Sequence, residues 1–214
     1  MNLDRTTVNA QSSIRIEGSK ILYFDPFQVE AAAHDADIIF ITHEHYDHFE
    51  PESIVKVKKE SSFLVAPESM KKKVLSSTVA AKEQCLFYGP DEAHKLGDIA
   101  IKTVPAYNKL KPFHPRGKRW LGYAVTMDNV CYYISGDTDV TEDIRKVRCD
   151  VALIPVGGFY TMDGKQAAEY IADLKPRAVI PTHYGDIVGK KTDGMDFMRA
   201  LEEMDKGIRT ELKL

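Results

Sequence analysis

The chain has no Cys-x-x-Cys pair. Its three cysteines, Cys85, Cys131 and Cys149, are odd in number and far apart, which excludes a disulfide framework and a cysteine-built zinc module. No apolar run approaches the ~18 residues of a membrane span. The stretch Met1–Gly18 also lacks the apolar segment of a signal peptide, so a soluble, cytoplasmic protein is expected. Cations are not in excess: the net charge is −3, and no global field recruits nucleic acid. Short basic runs such as Lys71–Lys73 read as solvated helix faces. Internal repeats, low-complexity tracts and linkers are missing too, which leaves one domain over residues 1–214.

What is present is an ordinary globular balance, with 43% hydrophobic and 29% charged residues. A chain of this length buries well over ~65% of its unfolded surface without disulfide support. Apolar or alternating runs bounded by turn residues predict strands over Ile21–Phe24, Asp37–Thr42, Ser62–Ala66, Cys85–Tyr88, Ile99–Ala106, Leu121–Met127, Val130–Ser135, Val151–Val156 and Ala178–Thr182. Asp128-Asn129 marks a tight hairpin turn between two of them. Helical spacing predicts helices over Pro67–Leu75, Thr141–Val147, Gly164–Leu174 and Gly194–Met204, with another starting near Pro51. Many strands with interspersed helices imply an α/β sandwich rather than an all-β barrel.

The stretch Thr42–Phe49, THEHYDHF, puts three histidines and an aspartate within six positions, in a chain with only seven histidines. If strand geometry persists past His43, then His43 and His45 share one face while Glu44 points away. Asp47 and His48 follow where the chain turns and can face a neighbouring position. The pattern is not HExxH, because Asp47 stands where the second histidine would be. Burying four such groups unpaired would be costly, so the segment predicts metal binding. Two further candidates fall at strand ends: Asp137 shortly after CYYIS and His183 directly after AVIPT. Polar groups from separate strands converge at such an edge.

These motifs carry a resemblance. THEHYDHF resembles the HxHxDH signature of the metallo-β-lactamase superfamily, and SGDTD (Ser135–Asp139) and THYG (Thr182–Gly185) follow in the order that superfamily requires. With ILYFDP and PVGGFYTM, the resemblance is to the branch of ascorbate-phosphate lactonases and N-acylphosphatidylethanolamine phospholipases. It implies an αββα sandwich of the metallo-β-lactamase type with one or two divalent ions at a sheet edge. By the same resemblance His43 and His45 serve a first ion, Asp47, His48 and His183 a second, and Asp137 both. Zinc is the expected metal, with manganese or iron as alternatives. Such ions make hydroxide available near neutral pH, with Asp137 orienting ions and nucleophile and Asp47 steering a proton. The implied protein is a metal-dependent hydrolase that cleaves an ester, lactone or phosphodiester in a small anionic substrate. The alternatives are a degenerate binding or sensing protein and a di-iron redox protein on the same fold.

One position departs from the pattern. Asn108 stands where the superfamily supplies a third histidine to the first ion, and a neutral amide is a poor zinc ligand. Either His114 swings in, or Asn108 or water completes a weaker site, or only the second site fills. Five cations, Lys109, Lys111, Arg116, Lys118 and Arg119, follow that position. They form either an anion-recognition loop centred on Arg116 or a solvated loop. Asp25 can support a ligand histidine or open a turn with Pro26. Tyr160 can approach substrate, Tyr184 can face the pocket or pack beneath it, and Trp120 reads as core. His34 and His94 read as surface residues.

Overall fold

The computed structural model describes residues 3–205 and 207–214. Two mixed sheets lie face to face. The first has six strands in the order β1 (Thr6–Val8), β2 (Ile14–Glu17), β3 (Ile21–Phe24), β4 (Ala36–Phe40), β5 (Lys58–Pro67) and β6 (Cys85–Tyr88). The second has seven, from one edge β13 (Arg209–Thr210), β12 (Ala178–Thr182), β11 (Val151–Pro155), β10 (Val130–Ile134), β9 (Leu121–Met127), β8 (Ile99–Pro105) and β7 (Ala93–Leu96). Helices α1 (Pro51–Val57) and α2 (Lys71–Ser77) cover the first sheet, α3 (Gly164–Leu174) and α4 (Asp193–Met204) the second. The result is the expected αββα sandwich. Among the described residues no helix is long and apolar enough to cross a membrane.

Three apolar layers follow from the periodicities. Inward-facing residues of both sheets, including Phe24, Phe40, Tyr123, Val125 and Ile180, fill the centre. Phe24 stacks on Phe40 at 4.7 Å, and the Tyr123 hydroxyl crosses between sheets to donate to the Ile41 carbonyl at 2.7 Å. The opposite faces bury Ile54, Val57 and Val74 on one side, and Ala167, Ile171, Phe197 and Leu201 on the other. Helix α3 opens with a reciprocal capping box between Asp163 and Gln166. Asp128 and Asn129 both adopt positive φ, as a tight hairpin between twisted strands requires.

Two predicted helices differ. From Pro67 the chain is still strand, then makes one 3-10 turn at Glu68–Met70, and only Lys71–Ser77 is α-helical. Thr141–Val147 yields a single 3-10 turn at Ile144–Lys146, because Val147 is already extended on its way to β11. The short strands β1, β2, β7 and β13 are not apparent as apolar runs. His94 lies in β7, half-buried, stacked on Tyr88 at 3.6 Å, whereas His34 is exposed.

Candidate metal centre

The pairing directions bring the C-terminal ends of β1, β3, β4, β8, β10 and β12 to one edge of the sandwich. The chain leaving those ends carries Gln11, Asp25, His43–His48, Asn108–His114, Asp137 and His183. Strand β4 stops at Phe40 rather than Thr42, although the Ile41 amide still donates to Val65 O at 2.8 Å. Thr42 O instead accepts the Leu121 amide of the opposite sheet at 3.1 Å. The alternation assumed for His43 and His45 is therefore not a strand's. A turn does the work: the His48 and Phe49 amides both donate to the His45 carbonyl, at 3.1 and 2.8 Å. His43 Nε2 and His45 Nδ1 then meet at 3.1 Å.

Two clusters result. His43, His45, His114 and Asp137 offer ligand atoms all within 4.8 Å of one another, and so do Asp47, His48 and His183. Asp137 lies between the clusters. Its Oδ2 is 3.3 Å from Nε2 of both His114 and His183, and its Oδ1 is 3.4 Å from His48 Nε2. Asp47 Oδ2 is 3.3 Å from His183 Nε2.

Of the three arrangements left open by Asn108, the structure presents the one with His114 at the cluster. Asn108 braces it. The Asn108 amide donates to the His114 carbonyl at 2.7 Å, and Nδ2 donates to the Tyr160 carbonyl at 2.7 Å and lies 3.3 Å from His114 Nδ1. Trp120 walls the same cluster, its ring 4.9–5.5 Å from those of His43, His45 and His114.

Whether these groups suit a metal can be judged from their unmet bonding. Nε2 of His48, His114 and His183 and Oδ1 of Asp137 are buried and make no hydrogen bond. Each such atom costs about 1–3 kcal/mol if nothing satisfies it. Imidazole nitrogens and carboxylate oxygens converging on shared space are the donor set of a divalent transition ion. They fit.

Electrostatics agree with that use. Burial, helped by nearby His48, holds His43 well below the ordinary imidazole value, and burial with His114 lowers His45. Both therefore offer lone pairs at neutral pH. Burial opposes ionisation of Asp137, but His183 and His48 outweigh it and hold that carboxyl well below its usual range. Asp47 is lowered in the same way, with burial opposed by nearby His183 and the charge of His48. For His48 burial is overcome by the carboxylates of Asp137 and Asp25, which raise it well above the imidazole value.

Asp25 supports His48, as its strand-end position allows. It accepts from Thr42 N at 2.7 Å, Thr42 Oγ1 at 2.5 Å and His48 Nδ1 at 2.7 Å. That fixes the His48 ring with Nε2 toward Asp137. Asp25 and His183 both have positive φ, 45° and 58°, uncommon for residues other than glycine and typical of functional edges. Gln11 carried no sequence signal. Its carbonyl accepts the His183 amide at 2.9 Å, and its fully buried side-chain amide has no partner.

A cavity of about 340 Å³ opens over the clusters, floored by His45, Asp47, His114, Asp137 and His183. Its walls are Tyr46, Phe113, Tyr160, Ile187 and Val188. Of these, sequence reasoning singled out only Tyr160. The others are apolar residues interleaved with motif loops, a signal too common to stand out. Arg116 does not line the cavity: it points outward, 3.5 Å from Asp143 and over the Tyr107 ring. Tyr184 packs beneath, buried between sheet and helices with its hydroxyl against Gly194.

Residues 8–183 match the family model of the Beta-lactamase superfamily domain. A metal-dependent hydrolase of Pyrococcus furiosus is 30% identical over 94% of this chain and 94% of its own. One of Thermococcus onnurineus is 32% identical over 81% of each chain. Among solved structures, a protein of Parabacteroides distasonis assigned as a metal-dependent hydrolase superposes with a TM-score of 0.81 at 29% identity, covering 98% of this chain and 92% of that one. The chain belongs to the β-lactamase superfamily, among its metal-dependent hydrolases.

Proposed function

We propose that this metal-dependent hydrolase works with two divalent ions side by side and cleaves an ester, lactone or phosphodiester bond. The observation that carries the reading is Asp137, a buried carboxylate between two clusters in which Nε2 of His48, His114 and His183 makes no hydrogen bond. His43, His45 and His114 would hold one ion, Asp47, His48 and His183 the other, and Asp137 would touch both. Zinc suits this set best, with manganese or iron as alternatives. Bound ions supply hydroxide near neutral pH and polarise a carbonyl or phosphoryl oxygen.

The chain's own groups do the rest. Asp47 borders the cavity and is held ionised by His183 and His48, so it serves as a proton acceptor rather than an acid. Asp25 keeps the His48 ring oriented, and Asn108 keeps the His114 loop closed.

Metal content per chain, measured by elemental mass spectrometry, is the first test. Hydrolysis of p-nitrophenyl acetate and bis-p-nitrophenyl phosphate, before and after chelation, is the second. We expect two equivalents, with activity lost on chelation and restored by metal. A single equivalent would refute the paired-ion reading. Failure to take up zinc, manganese or iron would refute the enzyme reading altogether.

A further inference from the structure

No lysine or arginine lines the cavity to meet the anionic substrate expected from the sequence. The five cations that follow Asn108 in sequence do not line the cavity. Lys111 Nζ is 2.6 Å from Asp139 Oδ1, Arg116 lies against Asp143, and Lys118 Nζ is 2.8 Å from Glu44 Oε1. Three of the five are thus spent on acidic residues of this chain. No lysine or arginine appears among the residues lining the cavity. The charged groups it does contain are the clusters themselves.

The walls are instead mainly apolar. Phe113 packs on Tyr160 at 4.6 Å and on Phe159 at 5.4 Å, and Phe159 packs on Tyr160 at 4.9 Å. Ile187 and Val188 form another part of the wall, and Tyr46 stands within the metal-binding motif itself. Tyr46 and Phe159 are 65% and 68% exposed. Scattered exposed aromatics are unremarkable, but apolar and aromatic side chains gathered around one concave opening mark a binding surface.

We infer that the non-reacting part of the substrate is uncharged and apolar, an aryl or short alkyl group seated between the Phe113–Tyr160 wall and the Ile187–Val188 wall. The inference rests on the metal-dependent hydrolase reading, since the clusters must hold the reacting end. Geometry sets the division of labour: polar floor for the scissile group, apolar walls for its substituent. A terminal carboxylate placed among those walls would lose hydration without gaining a cationic partner. Each added methylene should instead tighten binding roughly fourfold until the cavity is full.

Hydroxamates test this without turnover, because the hydroxamate end chelates metal and the other end samples the walls. Calorimetry on the metal-loaded protein would compare acetohydroxamate, hexanohydroxamate and the carboxylate-ended adipate monohydroxamate. We expect hexanohydroxamate to bind at least about tenfold tighter than either of the others. In Ile187→Lys, with metal content unchanged, the preference for hexanohydroxamate over the carboxylate-ended probe should shrink or reverse. If the carboxylate-ended probe binds wild type as tightly as hexanohydroxamate, the apolar assignment is overturned while the metal centre stands. If no hydroxamate binds, the accessible metal centre fails and the substrate assignment falls with it.

Discussion

Asp25 gives no ligand atom to either cluster, yet three donors converge on it and one of them is His48 Nδ1. Replacing the carboxylate by an amide turns an acceptor into a group that can also donate, and the ring loses its fixed orientation. Asp25→Asn should therefore weaken metal binding at the Asp47–His48–His183 cluster by roughly 10–100-fold and leave the other cluster filled. Chelator competition reads this directly, and two unchanged affinities would remove Asp25 from the account. His48 itself makes a second prediction. Its value is raised above that of ordinary imidazole, so in the metal-free protein protonation of the ring competes with ligation, which needs the neutral ring. Metal loading at pH 7 should then release a proton at His48, and none at His43 or His45, which are held low. Apparent affinity should climb with pH until His48 is neutral in the free protein. Calorimetry in buffers of different ionisation enthalpy measures the release, and identical heats in all buffers would contradict it.

Strand ends position the ligands, and the connections after them are packed with little room. The loop following β11 passes so close to His183 that a Cβ on Gly157 would lie 2.3 Å from the His183 carbonyl oxygen. That oxygen belongs to the backbone and cannot rotate away. Gly157→Ala should cost about 1–3 kcal/mol, a fall of roughly 2–12 °C in melting temperature for a chain of this size. It should also deplete the second ion, because His183 moves with its backbone. An unaltered melt with full metal content would show that the loop yields freely. The same connections explain what could be read in advance. Strand β12 and helix α3 were legible because an apolar run and a helical spacing announce them; β12 and α3 match their predicted bounds residue for residue. Strands β1, β2, β7 and β13 have two to four residues each, and unlike the four-residue β3 and β6 none is a continuous apolar run. His43, His45, Asp47 and His48 were legible because they are neighbours in sequence. His114 was not settled, since its arrival depends on Asn108 closing a loop through the Tyr160 carbonyl, a contact 52 residues distant in the chain. Arg116 stayed open between two readings for a related reason: spacing reveals that a cation follows a strand end, not that Asp143 and Tyr107 will hold it outward.

At the scale of the molecule the two clusters join halves whose shared interior is mainly apolar. The His43–His48 turn leaves the six-stranded sheet, while His114, Asp137 and His183 leave the seven-stranded one. Each cluster draws on both sheets. Alongside them only a few polar bonds cross at this edge, such as Tyr123 to Ile41 and Leu121 to Thr42. Without ions, the buried imidazoles and carboxylates have only one another as partners; bound ions would let the same atoms tie sheet to sheet. Because ions bind the folded state and not the unfolded chain, free metal at a thousand times Kd should add about 4 kcal/mol per site. That is a rise of roughly 8–16 °C per filled site for a chain of this length. Scanning calorimetry before and after chelation measures the difference, and the shape of the transition decides its cause. A tie between sheets shifts the whole cooperative melt, whereas a site that merely orders its own loops would leave the main transition in place and add a small early one. The first pattern is expected, since no ligand can leave its cluster without loosening the seam between the two sheets.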